Sequence, residues 1–253
     1  MNKLVKAEWY RLRKSGSFLF YTVLVCVLCV AVALLGNRKF FENDLSTNAF
    51  SVLFGVGSFM YPVFISTMLC VVASMGHHSK VAYYEIMDGN KTSHIILSKH
   101  IVYLPIVLCL FLIPMISLFG YTCVKNGSGE LIDKPIWFFV LFAAIILRIV
   151  IGAINIAMVL KKLVTCAIFS YARMFVEMLA ILPFQIIGET QKNSDILKIA
   201  DFLKDVTISF QIENLTTNCN DTRFIVMVIT SAVLEIVFGY CMAYRSYKKK
   251  KFN

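Results

Sequence analysis

Four charged residues of this 253-residue chain, Arg148, Arg173, Glu177 and Glu235, lie inside long apolar stretches. A charge at the centre of a membrane helix costs about 2.5–3.5 kcal/mol on insertion scales, so each of these groups needs a partner or a water-filled path. Arg173 and Glu177 stand four residues apart, the spacing that pairs side chains along one helical face, although in the less favoured order. Arg148 and Glu235 fall near the middles of two different stretches and can pair between helices. The plain reading is a structural ion pair, and the alternative is a place in a substrate path or proton relay.

The remaining reactive side chains form no recognisable centre. Cys26 and Cys29 make a C-x-x-C, but no second pair or histidine stands nearby, and Cys26, Cys29, Cys70, Cys109, Cys166 and Cys241 all lie in apolar stretches as small hydrophobes. Cys123 and Cys219 both map to one side of the apolar stretches, where an oxidising exterior permits a disulfide that spacing alone does not establish. His77, His78, His94 and His100 cluster in or beside one loop and read as solvated. No G-x-x-x-x-G-K-[ST] string, H-E-x-x-H helix or G-x-S-x-G elbow occurs, so the chain carries no phosphate-cradling loop, zinc-protease helix or nucleophile elbow. Neither a resident metal nor a cofactor is expected.

The elements that position the four charges follow from composition. Hydrophobic residues make up 58% of the chain and charged residues 16%, with a mean hydropathy of +0.74, which excludes a water-soluble globule. Six stretches are long enough to cross a bilayer: Phe18–Gly36, Ser51–Met75, Ile101–Val124, Ile136–Leu160, Leu163–Ile187 and Phe224–Tyr244. An even number puts both tails on one side. Those tails, the loop from Gly76 to His100 and the Lys161–Lys162 turn hold fifteen of the 25 Lys and Arg residues and only three acidic ones, which makes that side cytoplasmic. The formal charge of +10 is therefore topological rather than a nucleic-acid surface. A cleaved signal peptide ending at Ala31-Val32-Ala33 is the competing reading of the N-terminus; it would leave five spans and separate the two basic tails.

Residues 1–16 have Val5, Trp9 and Leu12 at helical spacing opposite Lys3, Lys6, Arg13 and Lys14, which predicts a short helix lying on the cytoplasmic membrane surface. The alternative is a solvated basic leader. Between the fifth and sixth spans, Ile196, Ile199, Leu203 and Val206 oppose Asp195, Lys198, Asp201 and Asp205, which predicts an outer amphipathic helix. Pro183 and Gly188 precede it and are expected to break the fifth span. The fold expected is all-α, a single polytopic membrane domain covering 1–253.

The cytoplasmic loop from Ser79 to His100 reads SKVAYYEIMDGNKTSHIILSKH. This segment resembles the loop between the second and third spans of type-2 ATP-binding-cassette exporter permeases, in which a Glu precedes a Gly-Thr-like turn, a basic residue, a short apolar helix and a Ser/Ala-Lys. The corresponding residues are Glu85, Gly89, Lys91, Ile95 to Leu97, Ser98 and Lys99, with Asn90 where Thr is commoner. The basic leading helix, six spans, outer segment and basic tail fit the same family. The resemblance implies a transport subunit that is not itself an enzyme, paired with a second permease copy in a dimer, and a separate ATPase subunit that holds ATP and Mg. Tyr83, Tyr84, Glu85, Asp88, Gly89 and Lys91 would then meet that ATPase as a coupling helix. Alternating access at the dimer interface would move an amphipathic peptide past Phe54, Phe59, Met60 and Tyr61 of span two and Tyr171, Met174, Phe175 and Met178 of span five, where Met and flat aromatic surfaces suit such cargo. Core packing accounts for the same residues. Small permeases of this kind include the phenol-soluble modulin exporters and others that export antimicrobial or cytolytic peptides; export of hydrophobic drugs or lipids, or a membrane immunity protein acting alone, are the alternatives. Its place would be the bacterial plasma membrane, with both termini cytoplasmic.

Overall fold

Lipid offers a backbone no hydrogen-bond partner, so a segment this apolar satisfies its own N–H and C=O groups by coiling. A computed structural model describes residues 1–35, 64–69, 72–73, 89–126, 135–160, 162–191 and 194–249, and the regular structure among them is helical. The helices are α1 (Asn2–Lys14), α2 (Gly16–Leu35), α3 (Thr92–Asn126), α4 (Pro135–Leu160), α5 (Leu163–Gln191), α6 (Ser194–Val206), α7 (Ile208–Glu213), α8 (Leu215–Asn218) and α9 (Thr222–Lys249). Among the described residues three stretches are long and apolar enough to cross a membrane: Thr92–Ile113, Ile136–Leu160 and Thr222–Ser246. Shorter apolar stretches occur in α2 (Gly16–Val27) and α5 (Leu179–Thr190). Most of the second expected span, Ser51–Met75, lies outside the described residues, although 64–69 and 72–73 are helical.

The centre of the bundle is α4. Leu141, Ile145, Val150, Ile154, Ala157 and Met158 on it are fully buried. It packs most extensively against α9, and also against α3, α5, α7 and α8. Small residues let α4 and α9 approach: Gly152, Ala153 and Ala157 on one helix, Ala232, Gly239 and Ala243 on the other. By contrast, α9 turns Val226, Val233, Leu234, Val237 and Phe238 outward, and α2 exposes Leu19, Phe20, Val23 and Val27. Water does not cover such surfaces favourably, whereas lipid does.

Three sequence expectations change. First, α5 runs unbroken through Pro183 to Gln191. Gly188 instead makes room for α6, since a side chain there would meet Leu197 Cδ2 at 2.8 Å. Second, α3 begins at Thr92, so the short apolar helix expected at Ile95 to Leu97 is not separate from the third span: with His94, Ser98, Lys99 and His100 it forms the first turns of α3. Gly89 (φ 77°) supplies the left-handed turn just before it, and the Lys91 carbonyl accepts from the Ile95 N–H at 3.2 Å. Third, α1 buries Leu4, Glu8 and Leu12 and leaves Trp9 52% exposed, a rotation away from the predicted Val5/Trp9/Leu12 face.

The cause of that rotation is an ion pair. Lys99 Nζ on α3 donates to Glu8 Oε1 at 2.6 Å, and both residues are 1% exposed. Tyr103 Oη donates to Glu8 Oε2 at 3.2 Å, and Arg11 Nη1 to Glu8 Oε1 at 3.0 Å. Burial alone would raise the Glu8 carboxyl, but the charges of Lys99 and Arg11 and the hydrogen bonds from Lys99 and Tyr103 outweigh it and hold it below its ordinary value. Ser15 then ends α1 in an extended conformation, and its Oγ accepts from the Phe18 N–H at 3.3 Å, capping α2.

Because its folded pKa is lowered, Glu8 contributes its full stabilisation at neutral pH and loses it as pH falls through that lowered value. Glu8→Gln leaves Lys99 buried without a counter-charge, so it should cost about 3 kcal/mol at pH 7. Thermal unfolding in detergent should show the gap between variant and parent at neutral pH and its closure only as pH falls below the ordinary carboxylate range, through the lowered Glu8 value.

Candidate functional site

The four charges in apolar stretches meet in one place. Arg148 projects from the middle of α4, Glu235 from the middle of α9, and Arg173 and Glu177 from successive turns of α5. Glu235 bridges two helices with its two oxygens: Arg148 Nε donates to Oε2 at 2.6 Å and Arg173 Nη2 to Oε1 at 2.6 Å. Arg173 Nε also donates to Glu177 Oε1 at 3.1 Å, and Glu177 Oε2 accepts from the Ile208 N–H at the start of α7 at 3.4 Å. Two cations and two anions make the group neutral, which removes most of the cost of holding it out of water.

The second face of Arg148 is satisfied by neutral groups. Its Nη1 lies 2.7 Å from the Val206 carbonyl, 3.1 Å from Gln211 Oε1 and 3.3 Å from Ser231 Oγ. Gln211 Nε2 donates in turn to Ser231 Oγ at 3.1 Å and to the Asp205 carbonyl at 3.1 Å, and Ser231 Oγ donates to the Val228 carbonyl at 3.0 Å. The segment α6–α7 is thereby tied to α4 and α9. Gly152, one turn beyond Arg148, leaves the space in which the bridge forms: a Cβ there would collide with Arg173 Nη1 and lie 2.7 Å from Glu235 Oε1. Asn155, a further turn along α4, is 4% exposed and packs against Gly239, and neither of its amide atoms has a hydrogen-bond partner among the described residues.

Sequence reasoning paired Arg173 with Glu177 and matched Arg148 to Glu235; the structure joins both pairs into one network. It missed Gln211, Ser231 and Gly152. A Gln between Ile208 and Ile212 in a short apolar helix was the one available signal, since such a residue needs a buried partner. It counted Glu8 and Lys99 among the cytoplasmic charges without pairing them. Of the proposed coupling residues, Gly89 occupies the turn before α3 and Lys91 is exposed beside it, while Tyr83, Tyr84, Glu85 and Asp88 lie outside the described residues. Phe54, Phe59, Met60 and Tyr61 also lie outside them. Tyr171, Met174, Phe175 and Met178 fall on α5, with side chains outside the description. Cys219 is buried in the apolar core, and the side chain of Cys123 lies outside the described residues. Among the described residues no group of His, Cys, Asp and Glu is arranged to hold a metal.

Comparison with protein-family models and with curated protein sequences finds no match to this chain.

Arg148→Leu and Glu235→Leu should each destabilise the protein by about 3 kcal/mol, because each leaves an unbalanced charge in a dry interior. The double variant leaves the Arg173–Glu177 pair neutral and should recover most of the loss; a thermal-stability cycle in detergent measures the coupling. Gly152→Val removes no charge but fills the space of the bridge. It should cost about 1–3 kcal/mol, read by the same unfolding assay.

Proposed function

We propose that the chain is the membrane permease subunit of an ATP-driven exporter, working as a dimer with a separate ATPase subunit and moving amphipathic peptides. The observation that carries this reading is mechanical. The segment with Tyr83, Tyr84, Glu85 and Asp88 immediately precedes in sequence the Gly89 turn that leads into α3, a helix of 35 residues. The first turns of α3 are in turn clamped to α1 by Glu8 and Lys99. A force delivered at the Gly89 turn therefore reaches α3 directly and, through the Glu8–Lys99 pair, α1. Basic residues at the same end of the bundle, Lys91 before α3, Lys162 after α4, and Arg245 and Lys248 at the end of α9, support a cytoplasmic position for it.

The charge network supports the structural reading of the four intramembrane charges over a proton relay. Each charge has an opposite partner and the group is neutral, the arrangement of a structural network. The outward apolar faces of α2 and α9 offer surface for a second permease copy as well as for lipid.

Purified alone, the chain should hydrolyse no ATP above a contaminant blank, and coexpression with its ATPase should yield a complex that copurifies and hydrolyses. Glu85→Lys or Asp88→Lys should lower recovery of the ATPase, or the transport driven by each ATP, by about tenfold while membrane insertion stays unchanged. Unaltered copurification and transport in both variants would remove the coupling role, and ATPase activity of the lone chain would remove the permease assignment.

A further inference from the structure

The ion pair that turns Glu8 inward leaves a groove on the other side of the α1–α3 contact. Its volume is about 310 Å³, at the lower end of ligand-pocket sizes, and its walls are almost wholly apolar: Val5 and Trp9 from α1, Ile101, Pro105 and Ile106 from α3. The polar group on its rim is Lys6, which is exposed.

Among the described residues of its two walls, the exposed charge has one sign. Glu8 is the only carboxylate of α1, and it is 1% exposed with Lys99, Arg11 and Tyr103 on it. The sequence of α3 contains no Asp or Glu at all. Neither wall therefore offers a surface carboxylate, while Lys3, Lys6, Arg13 and Lys14 are exposed on α1. Trp9 and Tyr10, 52% and 62% exposed, flank the same surface, and such aromatic rings favour the level of lipid headgroups. A ligand matching these features has a long apolar chain, a negative head and a source in the bilayer.

We propose that this groove binds an anionic phospholipid, with an acyl chain against Trp9, Pro105 and Ile106 and the phosphate held by Lys6. The inference needs only that α3 crosses the bilayer and is independent of the exporter reading. A lipid seated there covers the seam between α1 and α3, directly beside the Glu8–Lys99 clamp.

The test uses the full chain with Trp137→Phe, which leaves Trp9 as the single indole. The protein is placed in phosphatidylcholine nanodiscs containing either phosphatidylglycerol or phosphatidylcholine with brominated acyl chains. Trp9 quenching should reach half its maximum at about fivefold lower mole fraction of the brominated anionic lipid, the preference one lysine near a charged surface provides. Lys6→Glu should abolish that preference, Lys6→Gln should reduce it, and Lys14→Glu, the same charge change away from the groove, should keep most of it. Equal quenching by the two lipids would overturn the proposal. Equal loss in the Lys6 and Lys14 variants would overturn it in favour of diffuse surface attraction, and no quenching by either lipid would assign the groove to a second copy of the chain or another segment.

Discussion

One carboxylate holds the bundle's charged interior together. Glu235 on α9 receives a guanidinium from α4 on one oxygen and a guanidinium from α5 on the other, each at 2.6 Å. In water such contacts are worth little, but in an apolar interior an unmatched charge is costly enough that the helices carrying the partners must stay in register. The consequences spread outward from there. Gly152 has to lack a side chain, Ser231 has to offer a hydroxyl on the far side of Arg148, and Gln211 has to enter from α7 to complete the hydrogen bonds. The stretch α6–α8 is thus anchored by polar contacts to this cluster, and Ile208, Ile212 and Leu215 fill the apolar space around it.

What the sequence made legible was whatever the solvent alone decides. The apolar runs mark the helices, and the ends of α4 at Pro135 and Leu160 agree with the expected Ile136–Leu160 to within a residue. Charges in those runs are few enough that Arg173–Glu177 and Arg148–Glu235 stood out as candidate pairs, whereas the Arg173–Glu235 contact that joins them did not. The misses share a different cause: they depend on which side chain of another helix arrives nearby. Nothing in the periodicity of α1 says that Glu8 faces inward, because an acidic residue on an amphipathic helix normally faces water; Lys99, ninety-one positions on, reverses it. Similarly, Pro183 looked like a break because its missing N–H breaks isolated helices, yet α5 continues through it, as apolar helices tolerate a proline by local adjustment of the freed carbonyl. The N-terminal end of α3 was drawn too late because Ser98, Lys99 and His100 read as a polar boundary, although Lys99 is buried by its partner and the His100 ring lies 2.8 Å from the Ile96 carbonyl of its own helix.

The two polar clusters do different mechanical work. The one around Glu235 is neutral, joins three long helices, and engages Arg148 at both Nε and Nη1; small displacements there cost charge pairing at once. The one around Glu8 joins a short helix to the first turns of α3, and its single carboxylate faces two cations, Lys99 and Arg11. It ties the chain's N-terminus to the helix that follows the Gly89 turn, so those two segments move as a unit.

Asn155 lies two turns beyond Arg148 on α4, at a level where the helix–helix contact is fixed by size rather than by charge. Its amide is buried against Gly239, and a side chain at that glycine would collide with Asn155 Nδ2. At the Arg148 level the same two helices are held by an ion pair, and drawing Arg148 away from Glu235 leaves charges unmatched in an apolar interior. The α4–α9 contact is therefore fixed at two levels by different physics: charge matching at Glu235 sets the register, and the missing side chain of Gly239 sets how closely the helices approach at Asn155.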